Sequence, residues 1–129
     1  MISDLENKHN LLVDEFKFKC CIGKKSWTIN KKEGDKKTPR GWFGIGKLYY
    51  RRDRINKPET KIKFIKIKKN MGWCDDVKYP KKYNCLIETS SKVKHEKLYR
   101  SDHKYDLLIP IKYNYKKKVV GRGVVFLCI

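Results

Sequence analysis

The chain has 129 residues, 40% hydrophobic and 36% charged, which is enough for one core and one domain but not for two. Its 33 Lys and Arg against 14 Asp and Glu leave a formal net charge of +19, a balance that attracts polyanions such as nucleic acid, acidic lipid or acidic wall polymer without choosing among them. No apolar run nears the ~20 residues that span a bilayer, and "MISDLENKHN" lacks the basic-then-apolar order of a signal peptide, so the expected location is the cytoplasm with no transmembrane segment.

Lys supplies 27 of the 33 cations, and ammonium groups read bases and phosphates less well than the planar fork of Arg. A solvated face is therefore the favoured meaning of the charge. The five cysteines, Cys20, Cys21, Cys74, Cys85 and Cys128, are odd in number and show no Cys-x-x-Cys spacing. Neither a disulfide framework nor a zinc ribbon is indicated, and most of them read as buried thiols.

In chain order, residues 1–10 form a polar, loosely ordered segment, and residues 11–129 form the domain. "LLVDEFKFKCCIG" places two apolar tracts around Asp14 and Glu15, the second alternating with Lys17 and Lys19, which predicts a strand pair or hairpin. "NKKEGDKKTPRG" is a loop punctuated by Gly34, Pro39 and Gly41. "WFGIGKLYYRRDR" predicts short aromatic-rich segments that end in a charged turn. In "KIKFIKIKKN", Ile62 and Phe64 share one face while Ile65 and Ile67 share the other, which predicts a strand with a bulge or twist. "MGWCDDVKYPKKYNC" is loop-like. "SSKVKHEKLYRSDHKYD" is the one helix candidate, with Ser91 as cap and Val93, Leu98 and Tyr99 inward. "LLIPIKYNY" and "VVGRGVVFLCI" are the final two strands, joined by the basic turn Lys116 to Lys118. The expected fold is mainly β with one or two short helices, and aromatic side chains carry much of the core volume.

Several motifs invite a chemical reading. "GWFGIGKL" fits G-x-x-x-x-G-K at Gly41, Gly46 and Lys47, but Leu48 stands where a magnesium-binding hydroxyl belongs and no helix is expected after it. Glycines turning between strands are the better reading. Asp75 and Asp76 are adjacent and point apart in extended chain, so a turn or cap is favoured over an acid–base pair. His9, His95 and His103 lack ligand-spaced partners, so no metal is expected. "KLYYRRDR" and "IKYNYKKK" interleave aromatics with cations as base-stacking surfaces do, although half-buried strand positions beside long lysines give the same pattern.

The order of the pieces carries more than any one of them. "EGDKKTPRGWF" supplies Lys32, Glu33, Gly34, Asp35, Thr38, Pro39, Gly41 and Phe43 when Lys32 is counted in. Arg51 or Arg52, Asp53 and Arg54 follow, then Gly72 to Asp76, Tyr83 and Asn84, then Tyr105 and Asp106, and finally Gly121 and Gly123 in "GRGVVFLCI". From about Phe18 to the C-terminus this order resembles the L,D-transpeptidase catalytic domain family, the YkuD-like fold. The resemblance implies a β-sandwich and a cysteine acyl transferase of peptidoglycan cross-linking or remodelling, working outside the cytoplasmic membrane on stem peptides. It implies a His base, an amide-lined oxyanion hole and no cofactor. It also implies Arg122, Gly123 and Tyr83 as substrate-binding residues. Cys128 stands where the family has its His, Val124 where it has Ser, and the Gly-Cys turn that carries the nucleophile is not among these residues. The expectation is therefore a C-terminally truncated or degenerate relative with no catalytic residue of its own. The alternative expectation is a noncatalytic basic module that binds acidic wall polymer or nucleic acid.

Overall fold

The computed structural model describes residues 2–3, 10–13, 16–19, 22–90, 92–114, 119, 121–123 and 125–128. Every regular element among them is a strand. These are β1 (Ile2–Ser3), β2 (Asn10–Val13), β3 (Phe16–Lys19), β4 (Trp27–Thr28), β5 (Thr38–Pro39), β6 (Leu48–Tyr50), β7 (Phe64–Lys66), β8 (Met71–Cys74), β9 (Leu86–Glu88), β10 (His95–Lys97), β11 (Leu107–Pro110) and β12 (Phe126–Cys128). The mainly β reading holds. They form sheets in the orders β1-β2-β3, β4-β5, β10-β8-β9 and β12-β11-β6-β7.

The hairpin expected from "LLVDEFKFKCCIG" is β2 with β3, antiparallel, with Val13 opposite Phe16. Ile2–Ser3 adds a third strand to it, inside the segment expected to be loosely ordered. The final two strands also form as read: β11 and β12 are antiparallel, with Leu108 opposite Cys128 and Pro110 opposite Phe126. The turn Lys116 to Lys118 lies outside the described residues, as do Ser91, His9, Cys20 and Cys21.

Two expectations are corrected. The "SSKVKHEKLYRSDHKYD" segment is not helical: His95–Lys97 is a strand paired with Gly72–Cys74, and Leu98 N–H donates to the Met71 carbonyl at 3.1 Å. Val93 and Leu98 are buried as expected and Tyr99 is half-buried. Five residues apart, Val93 and Leu98 would sit roughly 140° from each other on a helix at 3.6 residues per turn, so no helix could bury both on one face. Of the bulge or twist expected in "KIKFIKIKKN", the bulge is absent, although Phe64 and the pair Ile65 and Ile67 do take opposite faces as read. β6 and β7 run parallel in unbroken register, Leu48 with Phe64, Tyr49 with Ile65 and Tyr50 with Lys66. Both faces of this pair are covered. Tyr49, Ile65 and Ile67 face the main core, while Phe64 lies edge-on to Tyr50 at 5.9 Å on the other side. A strand covered on both faces reads as an apolar run that loses strict alternation.

The core joins the β12-β11-β6-β7 and β10-β8-β9 sheets. Tyr49, Ile67 and Leu108 of the four-stranded sheet and its β7 extension meet Trp73, Leu98 and Tyr105, with Phe126 packed against them. Aromatic edges fill it, as expected from composition. Trp73 lies perpendicular to Tyr49 at 6.1 Å and to Phe126 at 5.4 Å, and Tyr105 meets Phe126 at 5.9 Å. Such edge-to-face contacts set electropositive ring edges against electron-rich faces. Gly72 lets β10 come close, because a Cβ there would lie 2.6 Å from the His95 ring. No helix among the described residues is long and apolar enough to cross a membrane.

Leu108 is fully buried between β6 and β12. Leu108→Ala should therefore lower unfolding stability by ~2–5 kcal/mol, read as a reduced urea midpoint at unchanged slope.

Candidate functional site

The loop before β5 is built by its own carboxylate. Asp35 accepts hydrogen bonds from the amides of Lys32 and Lys37, both at 2.9 Å, and from the Lys31 ammonium. Partial burial works to raise its pKa, but the Lys31 and amide hydrogen bonds prevail and hold the carboxyl at about 2. The turn so fixed presents Glu33.

Glu33 is one side of a three-way contact. Tyr83, fully buried, donates its hydroxyl hydrogen to Glu33 Oε2 at 2.9 Å and accepts the Gly123 N–H at 2.9 Å. The Glu33 N–H donates to the Gly121 carbonyl at 2.7 Å. Burial, and then the Glu33 carboxylate, push the Tyr83 phenol up to about 12. Gly121 and Gly123 hold φ near +83° and +85°, a region that L side chains rarely adopt. A Cβ on Gly123 would also lie 3.3 Å from the Glu33 carboxylate. Two of the three residues expected to touch substrate, Tyr83 and Gly123, are thus buried and bound to each other. The third, Arg122, is exposed between the two glycines.

Next to Tyr83, Asn84 takes a left-handed backbone, φ +56°, which Asn tolerates better than most residues. Its Oδ1 accepts the Trp73 indole N–H at 2.9 Å, and its Nδ2 donates to the Asn114 carbonyl at 3.3 Å and the Tyr113 carbonyl at 3.5 Å. The Tyr83–Asn84 pair therefore ties the Glu33 turn, the Gly121–Gly123 turn, β8 and the end of β11 to one point.

Cys128 lies at the free edge of the four-stranded sheet. The residue as a whole is exposed, yet its sulfur is desolvated by surrounding protein. Burial pushes the thiol up, the Lys104 ammonium offsets part of this, and Glu96 pushes it further up. A thiol so raised is protonated at neutral pH, and the thiolate is the nucleophile. Both described histidines are engaged elsewhere. His95 Nδ1 lies 2.6 Å from the Val93 carbonyl, and His103 Nδ1 lies 2.6 Å from Asp106 Oδ2. Of the described thiols only Cys74 is buried. Cys85, just before β9, is half-buried and Cys128 in edge strand β12 is exposed; the expectation for Cys20 and Cys21 lies outside the described residues.

The "RRDR" and "YRSDHKYD" tracts meet through two arginines, a pairing that composition does not reveal. Buried Arg51 makes a two-pronged contact with Asp53 and donates to the Arg100 carbonyl at 2.7 Å, with the Tyr99 ring 3.5 Å from its guanidinium. Arg54 donates to the carbonyls of Arg100, Ser101 and Asp102 and to Asp106 Oδ1. Asp76 plays the expected turn role, accepting the amides of Lys78 and Lys94. Among the described residues no group of three His, Cys, Asp or Glu side chains is arranged to hold a metal. "GWFGIGKL" runs into strand β6, with the Gly46 amide donating to the Pro110 carbonyl at 2.7 Å, so this amide is already engaged in pairing with β11.

Compared with protein-family models, with curated proteins and with solved structures, the chain matches none.

Tyr83→Phe keeps the ring and removes both hydrogen bonds, leaving the buried Gly123 amide without its acceptor. A loss of ~1–3 kcal/mol is expected in urea unfolding. The phenol's upward shift adds a pH signature. In the native protein its contribution is complete below about pH 10 and declines as pH rises toward about 12, because the unfolded chain ionises first. Tyr83→Phe should lose that part of the alkaline decline.

Proposed function

We propose that this chain is an L,D-transpeptidase-related β domain of peptidoglycan cross-linking or remodelling that engages stem peptides without using Cys128 as an acyl-transfer nucleophile. One observation carries the reading. The Tyr83 hydroxyl joins the Glu33 turn to the Gly121–Gly123 turn, and all three segments carry the family resemblance while lying up to ninety residues apart. Arg54 with Asp106 joins two more of those segments, at 2.8 Å. Residues that matter only as isolated matches would have no reason to meet.

Acyl transfer needs a thiolate, a base near it and donors for the oxyanion. Cys128 has a raised thiol, with Glu96 and Lys104 as its charged neighbours. The two described histidines hold Nδ1 against Val93 and Asp106, and neither is among the charged neighbours of this thiol. Incubated with a carbapenem, the protein should keep its unmodified intact mass while being retained on purified peptidoglycan. A stoichiometric adduct that Cys128→Ser abolishes would overturn the noncatalytic part, and failure to bind peptidoglycan would remove the wall reading.

A second reading, a polyanion-binding module, draws on the +19 charge and on one surface feature. Trp27 is 42% exposed, with the Arg40 guanidinium 4.7 Å from its ring, and an exposed aromatic beside a cation suits base stacking. That reading expects retention on single-stranded DNA that weakens steadily as salt rises and is reduced in Trp27→Ala. Retention on peptidoglycan and not on DNA would decide for the first reading.

A further inference from the structure

β6 and β7 bring two lysines side by side. Leu48 pairs with Phe64 in parallel register, and the Leu48 amide donates to the Lys63 carbonyl at 2.9 Å, so Lys47 and Lys63 are neighbours one step before that pair. Both are exposed, and neither forms an ion pair among the described residues. Like charges on adjacent strands repel each other. An anion seated between them would turn that repulsion into attraction.

The same two lysines, together with Lys112, line a cleft of about 640 Å³, within the ~300–1,000 Å³ range of small-molecule sites. Its apolar wall is made by Tyr49, Ile62, Trp73, Leu86 and Pro110, and no Asp or Glu lines it. The polar groups of this wall are spent inside the protein. The Trp73 indole N–H goes to Asn84, the Asn84 amide goes to the 113 and 114 carbonyls, and the Gly46 amide goes to Pro110. What the cleft offers a ligand is therefore apolar and aromatic surface, with positive charge from the lysines that line it.

We propose that this cleft binds a small organic acid with a flat apolar body, a ring-bearing carboxylate, its ring against Trp73 and Tyr49 and its carboxylate between Lys47 and Lys63. The wall groups favour a body with few hydrogen-bonding atoms, since each polar atom buried there would lack a partner. The proposal stands on the cleft alone and is independent of the peptidoglycan reading.

Titration calorimetry with naphthoate and with its neutral counterpart naphthamide isolates the charge, because the two share one ring body. Naphthoate should bind to one site, roughly 5-fold more tightly than naphthamide, the size expected of two solvent-exposed ionic contacts. Lys47→Gln with Lys63→Gln should remove most of that difference, Lys112 being the remaining cation of the lining, and leave naphthamide binding unchanged. The control Lys78→Gln with Lys81→Gln alters net charge equally at two other exposed positions and should preserve the difference. Equal affinity of acid and amide, equal loss in both double variants, or no saturable naphthoate binding would each overturn the proposal.

Discussion

Backbone carbonyls without a regular partner must find a donor or face water, and between residues 100 and 102 this protein meets that requirement with arginine. Arg54 alone accepts the duty for three successive carbonyls, those of Arg100, Ser101 and Asp102, while its salt bridge to Asp106 fixes the fork. Arg51, almost fully buried, serves the Arg100 carbonyl from the other side. A buried guanidinium is tolerable only when its charge is paired and its donors are filled, and Asp53 does both. That carboxyl is held well below the usual range by the Arg51 contact. Strands of two to four residues contribute few ladder bonds, so these side-chain clamps take on work that longer elements do elsewhere.

The clamps matter because they place the core. With the segment from residue 99 to 106 held against the turn after β6, Leu98 and Tyr105 point into the space between the β12-β11-β6-β7 and β10-β8-β9 sheets, where Trp73 and Phe126 complete the packing. Tyr105 shows the same economy at its polar end. Its ring is core, while its hydroxyl donates to Glu96 at 3.0 Å, and burial with that carboxylate nearby raises the phenol strongly. Arg100 and Lys104 sit 3.4 and 3.7 Å from Glu96. The result is a charged cluster at the edge where Cys128 lies, which makes that edge unlike an isolated apolar strand and supplies the like-for-unlike charges that discourage edge-to-edge pairing.

The Tyr83 contact and the Lys47–Lys63 cleft lie on either side of the same short segment, with Tyr83 turned to the Gly121–Gly123 turn and Asn84 to Trp73. Asn84 links the two, because its amide fixes the Trp73 indole that forms part of the cleft wall. The two sides thus share one buried hydrogen bond, Trp73 indole to Asn84, a contact more sensitive to geometry than apolar packing.

Local chemistry was sufficient for much of this. Period-two alternation after Asp14 and Glu15 in the sequence made the β2–β3 hairpin legible, the apolar runs of "LLIPIKYNY" and "VVGRGVVFLCI" announced β11 and β12, and Leu48 after Gly46-Lys47 argued against a phosphate loop. The Asp76 turn was legible too, since a short carboxylate reaches amides two residues on. The resemblance drew attention to Glu33, Tyr83, Gly121 and Gly123, but not to their meeting. What only the tertiary structure decided are pairings between distant segments. Val93 and Leu98 turn inward from positions flanking strand β10 rather than from a helix because β8 supplies a paired edge that no local pattern encodes. Ile62, Phe64, Ile65 and Ile67 look like a bulge until both faces of the β6–β7 pair are seen to be covered. Lys47 and Lys63 are ordinary surface lysines until parallel register sets them side by side. Period and turn chemistry act over a few residues, whereas register, burial and charge proximity depend on which strands meet, and that is settled by packing the whole chain around one aromatic core.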